Sequence, residues 1–398
     1  MKTVLEEMSR CSGCGVCEQI CPTKAISMDP DSMGFLYPCI DRNICIDCGA
    51  CRRRCPTQTP ALHDSIAGYA AAAMSAEVLE KSASGGAFSA LAEAFVNRGG
   101  AVCGAALETQ GEKAAVRHVM VTDPRDLDRL AGSKYVQSHA AAAYSQIEEK
   151  LSQGIQVLFC GTPCQVAGVK TLFGKKYGDL LYTADLVCHG VSGPKVFSQW
   201  ISWLEEKNGF ALEGLRFRDK RYGWGLNGWA WGTDARGEKT GIHISPEREA
   251  YYGLFLRGES YRASCYQCPF ACPQRAGDIT LGDFWGIENV HPQMLKENGG
   301  DLDSRAGVSC LLVNTPAGEQ LLENWGSALQ RLPSTPEMIG RNNTQLNRPS
   351  QHTPFRDQVA TLWEKGGYAA LYRRWTRRRR KEITLRRIRK LTGKLLPK

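Results

Sequence analysis

At 398 residues, 42% hydrophobic and 23% charged, the chain is too long for one ordinary domain and too balanced in composition to be disordered, collagen-like or a disulfide knot. The net charge of +9 excludes little until it is divided: residues 373–398 hold thirteen Lys or Arg against the single Glu382, so the preceding body is mildly acidic. Seventeen cysteines, with no secretory-type start and no run near the ~20 apolar residues of a membrane span, predict a cytoplasmic protein whose thiols serve metal or redox chemistry rather than disulfides.

Residues 1–60 are dense in Cys and punctuated by Pro, with no periodic segment long enough for an ordinary helix, as expected where ligand bonds replace an apolar core. They contain a repeat: Cys11, Cys14, Cys17 and Cys21 followed by Pro22, then Cys45, Cys48, Cys51 and Cys55 followed by Pro56, at identical spacing. This is the spacing of bacterial two-cluster ferredoxins, in which three thiolates of one run bind one cube and the fourth reaches the other. The expected sets are therefore Cys11, Cys14, Cys17 and Cys55 on one 4Fe-4S cluster, and Cys45, Cys48, Cys51 and Cys21 on the second. Gly15 and Gly49 occupy matching places where amides approach the cluster sulfurs. Structural zinc also uses Cys-x2-Cys pairs, but it does not explain two full copies of a four-cysteine run. Cys39 breaks the register and reads as a bystander.

Thr57–Ser65 reads as a linker. From Gly68 onward apolar runs alternate with amphipathic segments. Strands are predicted at 101–107, 116–122, 155–160, 179–188 and 308–314, and helices at 86–100, 141–154, 164–174 and 194–209. Such alternation implies an α/β core with at least part of its sheet parallel. Residues 212–300 are rich in Gly and aromatics, with hairpins and an irregular loop around RFRDKRYGWGLNGWAWG. Beyond residue 315 the pattern turns helical and then basic, with Leu385, Ile388, Leu391 and Leu395 at helical spacing.

A second group of cysteines lies inside this core. Cys164 follows one predicted strand in the turn Gly161-Thr162-Pro163-Cys164, and Cys188 ends the next before His189. If both strands are parallel, the two thiols meet at the carboxyl edge of the sheet, where open α/β sheets bind ligands. Cys265 and Cys268 offer a further pair that would complete a third four-thiolate site; the competing reading is two small buried residues plus a zinc or ligand-free loop. Cys103, Cys160 and Cys310 sit in apolar strand runs and read as core residues, and Cys272 stays ambiguous.

With SASGGAFSAL (82–91), GSKYVQS (132–138), GTPCQVAGVK (161–170), DLVCHGV (185–191), CYQCPF (265–270) and RAGDITLGDFWG (275–286), the chain resembles the coenzyme F-420 hydrogenase/dehydrogenase beta-subunit family, in particular bacterial members with a fused N-terminal ferredoxin module. The resemblance implies FAD beside a 4Fe-4S cluster, with the cluster thiols on Cys164, Cys188, Cys265 and Cys268. It also implies a fold class of α+β and α/β type: a two-cluster ferredoxin-like domain at 1–60 and a mixed α/β flavin-binding core in two parts at 67–138 and 139–315, to which the residue pattern adds a helical extension at 316–372 and a short basic amphipathic helix at 373–398.

There is no GxGxxG fingerprint for the flavin. Where the family places it, Ser82, Ser84, Gly85 and Gly86 open a helix whose amides and hydroxyls suit a pyrophosphate, although such serines also serve as plain caps. Lys134 and Gln137 are expected to reach the cofactor, and Gly161, Thr162 and Gln165 to line its ring. His189 is the candidate proton donor, with a structural role as the alternative. Asp283 and Trp285 face the same cleft or simply form a turn.

The implied activity is an iron–sulfur flavoprotein oxidoreductase, moving electrons between ferredoxin-type clusters and FAD to reduce or oxidise coenzyme F-420 or another organic substrate. The alternative is an electron-relay subunit without a substrate of its own. A redox partner such as ferredoxin is expected, and no nucleic acid. The basic tail either lies peripherally on the inner, anionic face of a membrane or is simply solvated.

Overall fold

A computed structural model describes residues 3–109 and 114–392, with side chains to residue 388. The N-terminal module is built from an antiparallel pair, β1 (Ile26–Pro30) and β2 (Leu36–Ile40), and two one-turn helices, α1 (Val16–Gln19) and α2 (Ala50–Arg53). It is fastened to the rest of the chain. Met33 and Phe35 at the β1–β2 turn are buried in the same apolar cluster as Trp200 and Tyr251, the Trp363 indole donates to Ser32 O at 2.9 Å, and the Tyr144 hydroxyl donates to Cys14 O at 2.6 Å.

The core is an eight-stranded sheet. In chain order its strands are β3 (Ala67–Ala73), β4 (Ala101–Glu108), β5 (Ala115–Val121), β6 (Val157–Gly161), β7 (Leu181–Leu186), β11 (Ile279–Asp283), β12 (Ser309–Val313) and β13 (Leu329–Ser334), and in space they run β13-β3-β12-β11-β7-β6-β4-β5. The central strands β4, β6, β7 and β11 are mutually parallel, and antiparallel neighbours complete both sides. Strand pleating sends alternate residues to opposite faces. On one face Leu158 and Tyr182 pack with Leu91 and Phe95 of α3 (Ala87–Asn97) and with Leu321 and Trp325 of α7 (Pro316–Trp325). On the other, Val157 and Phe159 pack with Tyr144, Ile147, and Val169 of α4 (Pro163–Val169). The expected strands thus appear as strands. The sheet's carboxyl edge gathers the chain just after β6, β7 and β11.

Beside the main sheet, β8 (Phe210–Arg216), β9 (Gly228–Asp234) and β10 (Lys239–Ile244) form an antiparallel meander that packs with α5 (Pro194–Asn208) and α6 (Ala250–Leu256). Two expectations need correcting. Residues 316–372 are not a purely helical extension, because Leu329–Ser334 is the edge strand paired with β3. Its Pro333 lacks an N–H, which an edge tolerates.

Nor is the basic segment a separate short helix. It continues α8 (Pro354–Thr392) past a break at Gly366 and Gly367, with Trp375 buried, Arg378 paired to Glu259 at 2.6 Å and Arg257 to Glu382 at 2.8 Å. Beyond these anchors Ile383, Leu385 and Ile388 are exposed. The side chain of Leu391 and all of Leu395 lie outside the described residues. No helix among the described residues is long and apolar enough to cross a membrane.

Candidate functional site

The two cysteine runs fold alike. Gly15 (φ 79°) and Gly49 (φ 70°) each take the left-handed conformation that starts a one-turn helix, α1 or α2, carrying the third cysteine of its run. Cys11, Cys14 and Cys17 of the first run and Cys55 of the second rim one small cavity of about 20 Å³, closed by apolar residues such as Val4, Leu5 and Met28. Burial pushes the Cys14 thiol up to about 12, with Cys55, Cys11 and Cys164 adding to the rise. Such a set is comfortable as thiolates only around compensating positive charge.

The other set is more open. Cys48 is exposed, and Cys21, Cys45 and Cys51 are half-buried. Burial raises the Cys51 thiol, and Cys48 and Cys21 raise it further, whereas at Cys21 the donated Ala25 and Thr23 hydrogen bonds outweigh slight burial and lower it. Among the described residues no three His, Cys, Asp or Glu side chains converge tightly enough for a single metal ion.

At the carboxyl edge of the sheet a third set comes together. Cys164 is held by the turn after β6, where Thr162 caps α4 and its amide donates to Gln165 Oε1 at 3.0 Å. Cys188 follows β7, and Cys265 and Cys268 belong to the helical turn Ala263–Gln267 and its end. All four line one cavity of about 40 Å³. Burial raises the Cys265 and Cys268 thiols to about 12, and Cys188 lies well above its ordinary value through burial and then the three neighbouring thiols. Cys272 points away, donating to the carbonyls of Pro269 and Gln274. Cys103, Cys160 and Cys310 are buried and Cys39 is exposed. The first and third sets adjoin, because α4 packs on the first loop: a Cβ at Gly168 would meet Cys14 Cβ at 3.4 Å, and one at Gly15 would meet Ala141 at 2.7 Å.

A cleft of about 430 Å³ opens beside the third set and shares Thr162, Gln165, Cys188 and His189 with it. Its wall includes Ser82, Ser84 and Gly86 at the start of α3, then Lys134, Gly161 and His189. No side chain among the described residues caps α3, so its first-turn amides face the cleft as a ready anion site. The serine hydroxyls are already engaged, Ser84 Oγ donating to Val308 O at 2.9 Å and Ser82 Oγ to Val78 O at 2.7 Å. Gly85 serves packing: a Cβ there would strike Ala71 O at 2.3 Å and Ser309 N at 2.5 Å. The Lys134 ammonium donates to the carbonyls of Arg129, Leu130 and Ala131, and burial lowers it to about 7.

Gln137 does not reach the cleft. Its amide donates to Ser12 O at 2.9 Å on the ferredoxin side. His189 is open to the cleft yet ringed by protein, and burial lowers its proton affinity while Asp283 opposes and Arg218 adds to the effect.

Several residues of this wall escaped sequence reading. Arg218, 4% exposed, forms a two-pronged pair with Asp283 at 2.9 Å on both arms, and Trp224 stacks on Trp285 at 4.8 Å and 3° while donating to Asp283 Oδ1. The only available hint was the density of Arg and Trp in RFRDKRYGW. His118, on β5, has its Nδ1 buried with no hydrogen-bond partner among the described residues, while its Nε2 lies 3.1 Å from Cys160 O.

Cysteines gathered in this way on a ferredoxin-like module and at the edge of an α/β sheet define an iron–sulfur electron-transfer protein. Residues 10–59 match the 4Fe-4S dicluster domain. Residues 68–144 match the N-terminal part, and 155–330 the C-terminal part, of the coenzyme F420 hydrogenase/dehydrogenase beta subunit, together well over half of the chain. The chain belongs to that family. Among solved structures, a chain from the xenon derivatization of the F420-reducing [NiFe] hydrogenase complex of Methanosarcina barkeri is 15% identical with a TM-score of 0.44, over 77% of this chain and 95% of that one. No curated protein matches the chain in sequence.

Proposed function

We propose that the protein is a ferredoxin-linked flavoenzyme in which electrons pass between a carrier protein and FAD. The path is an outer cluster on Cys21, Cys45, Cys48 and Cys51, an inner cluster on Cys11, Cys14, Cys17 and Cys55, and a third on Cys164, Cys188, Cys265 and Cys268. One observation carries this reading: the exposed set, the buried set, the third set and the cleft form a contiguous series, with Cys188 lining both of the last two cavities. Flavin exchanges two electrons as hydride with an organic substrate, while clusters pass them singly.

The residues fit that cofactor. The uncapped α3 N-terminus suits a pyrophosphate, the bare Nδ1 of His118 is an acceptor in the cleft wall, and the cleft, at about 430 Å³, falls within the roughly 300–1,000 Å³ of common small-ligand pockets. His189 lines both the cavity of the third set and the cleft, the position of a proton donor between them. The substrate is a deazaflavin such as coenzyme F-420, or another planar organic acceptor. At the outer set, Ile44 and Ile46 are 47% and 64% exposed beside Arg42 and Arg53, a surface suited to an acidic electron carrier. The exposed Ile383, Leu385 and Ile388 among arginines suit peripheral contact with an anionic membrane.

The family's description as a beta subunit supports a second reading, an electron relay serving a partner's substrate. Iron, acid-labile sulfide, zinc and flavin measured on one anaerobic sample test both. Iron, sulfide and FAD together support the flavoenzyme. Clusters without flavin leave the relay, and zinc without sulfide sinks both readings.

A further inference from the structure

We propose that Arg262 is a fixed counter-cation shared by the inner and third clusters, raising both potentials relative to the outer cluster. This rests on the reading that both thiol sets carry clusters. Arg262 is 1% exposed. Its guanidinium donates Nε to Cys11 O at 2.6 Å, Nη2 to Leu36 O at 2.7 Å and Nη1 to Gln137 Oε1 at 3.2 Å, and its rim lines the cavity of the third set. The rings of Tyr37 and Phe35 lie 4.1 and 5.4 Å from it.

Every one of these hydrogen-bond acceptors is neutral. Two other deeply buried guanidinium groups each have a carboxylate, Arg275 with Asp185 at 2.8 Å and Arg218 with Asp283 at 2.9 Å. Arg262 has no ion-pair partner among the described residues, although a guanidinium stays charged in proteins. Burying such a charge alone costs several kcal/mol. The negative charge of two four-thiolate clusters, one on each side, is what makes the position tenable.

The first loop is shaped to admit the cation. Gly13 (φ 71°) leaves space that a Cβ would fill, meeting Gln137 Nε2 and Leu36 O at 3.0 Å and Arg262 Nη1 at 3.1 Å. The matching residue of the second loop is Asp47, in the same left-handed conformation (φ 59°) but with a carboxylate. The cation at the outer loop is instead Arg53, which donates to Cys48 O at 2.9 Å but is exposed, so water screens its charge where Arg262 is unscreened. An electron arriving from the carrier adds one negative charge to the inner cluster and later to the third, with no bond broken and no proton taken up by Arg262. The fixed positive charge favours the reduced form of both, so the electron is drawn inward and shared between them.

Redox titration of the anaerobic full-length protein, followed cluster by cluster in electron paramagnetic resonance, tests this. R262Q should lower the potentials of the inner and third clusters by at least a tenfold change in their reduction equilibria, 59 mV for one electron, and leave the outer cluster unmoved. R262K, which keeps the charge but not the fork, should recover most of the shift. Gln137→Glu, which brings a carboxylate against the intact guanidinium, should move both potentials the same way. Unmoved potentials in R262Q, or R262K shifted as far as R262Q, overturn the proposal. If R262Q loses iron, R262K and Gln137→Glu decide: clusters with unshifted potentials in Gln137→Glu, or lost in R262K, overturn it. A wild-type protein lacking the third cluster's iron would instead remove the reading on which it rests.

Discussion

The two cysteine loops share spacing, left-handed glycine and one-turn helix, yet one is interior and the other surface. Cys11, Cys17 and Cys55 are buried, Gly15 abuts Ala141, and Tyr144 and Arg262 donate to loop carbonyls. Around the second loop Cys48, Ile44 and Ile46 are exposed. A repeat written for one chemistry thus acquires two environments, one packed against the core and the other open to solvent. The difference lies in what the third-set elements press against.

The strongest way to break this comparison is to remove one ligand from each loop. Cys14→Ser should abolish the inner cluster and, because the loop is part of the packed interface with α4, lower stability by about 4 kcal/mol or more. Cys48→Ser should lose the outer cluster's iron with a much smaller change. Iron content and urea midpoints read both, and equal destabilisation would show that the loops are not differently embedded.

Exchanging the residues that differ sharpens it. Gly13→Asp copies the second loop, whose Asp47 tolerates the same backbone, but the side chain strikes Gln137, Leu36 and Arg262. It should cost about 1–3 kcal/mol, against about 1 kcal/mol or less for Asp47→Gly. A Gly13→Asp protein of unchanged urea midpoint would mean that the close approach is immaterial.

Smaller effects belong to the surface loop. Arg42→Glu should slow reduction by an acidic carrier about tenfold at low ionic strength, with the difference fading as salt shortens the Debye length from ~30 Å at 0.01 M to ~3 Å at 1 M. Stopped-flow rates across a salt series check it. Ile46→Ser should leave stability within about 0.5 kcal/mol while weakening the carrier's binding several-fold, and a titration showing unchanged affinity would move the docking surface elsewhere.

Short-range pattern made much of this legible. The strands β4, β6, β7 and β12 are apolar runs that the sheet buries on both faces, while the edge strand β5 is only partly buried, and Cys164 and Cys188 could be put at one edge because both follow parallel strands. Other elements had no local signature. The Ala-rich β3 reads as well as a helix; it is a strand because β12 and β13 pair with it on both sides. The edge strand β13 lies in a segment that reads as helical extension, and the basic segment belongs to a helix that starts after the break at Gly366 and Gly367 rather than at residue 373. Gln137 has no property that says which side it faces, and it turned from the cleft to Ser12.

The sequence by itself determined the ligand chemistry of the N-terminal module, because three thiols of each run sit on one short loop and the repeat of the same run supplies the fourth from its partner. Which loop is buried, where the cleft opens and where a lone guanidinium lodges were decided only in three dimensions. Arg262 meets Cys11 across 251 residues and Arg218 meets Asp283 across 65. Contacts over such separations exist only once the sheet has set its edges, and no spacing along the chain encodes them.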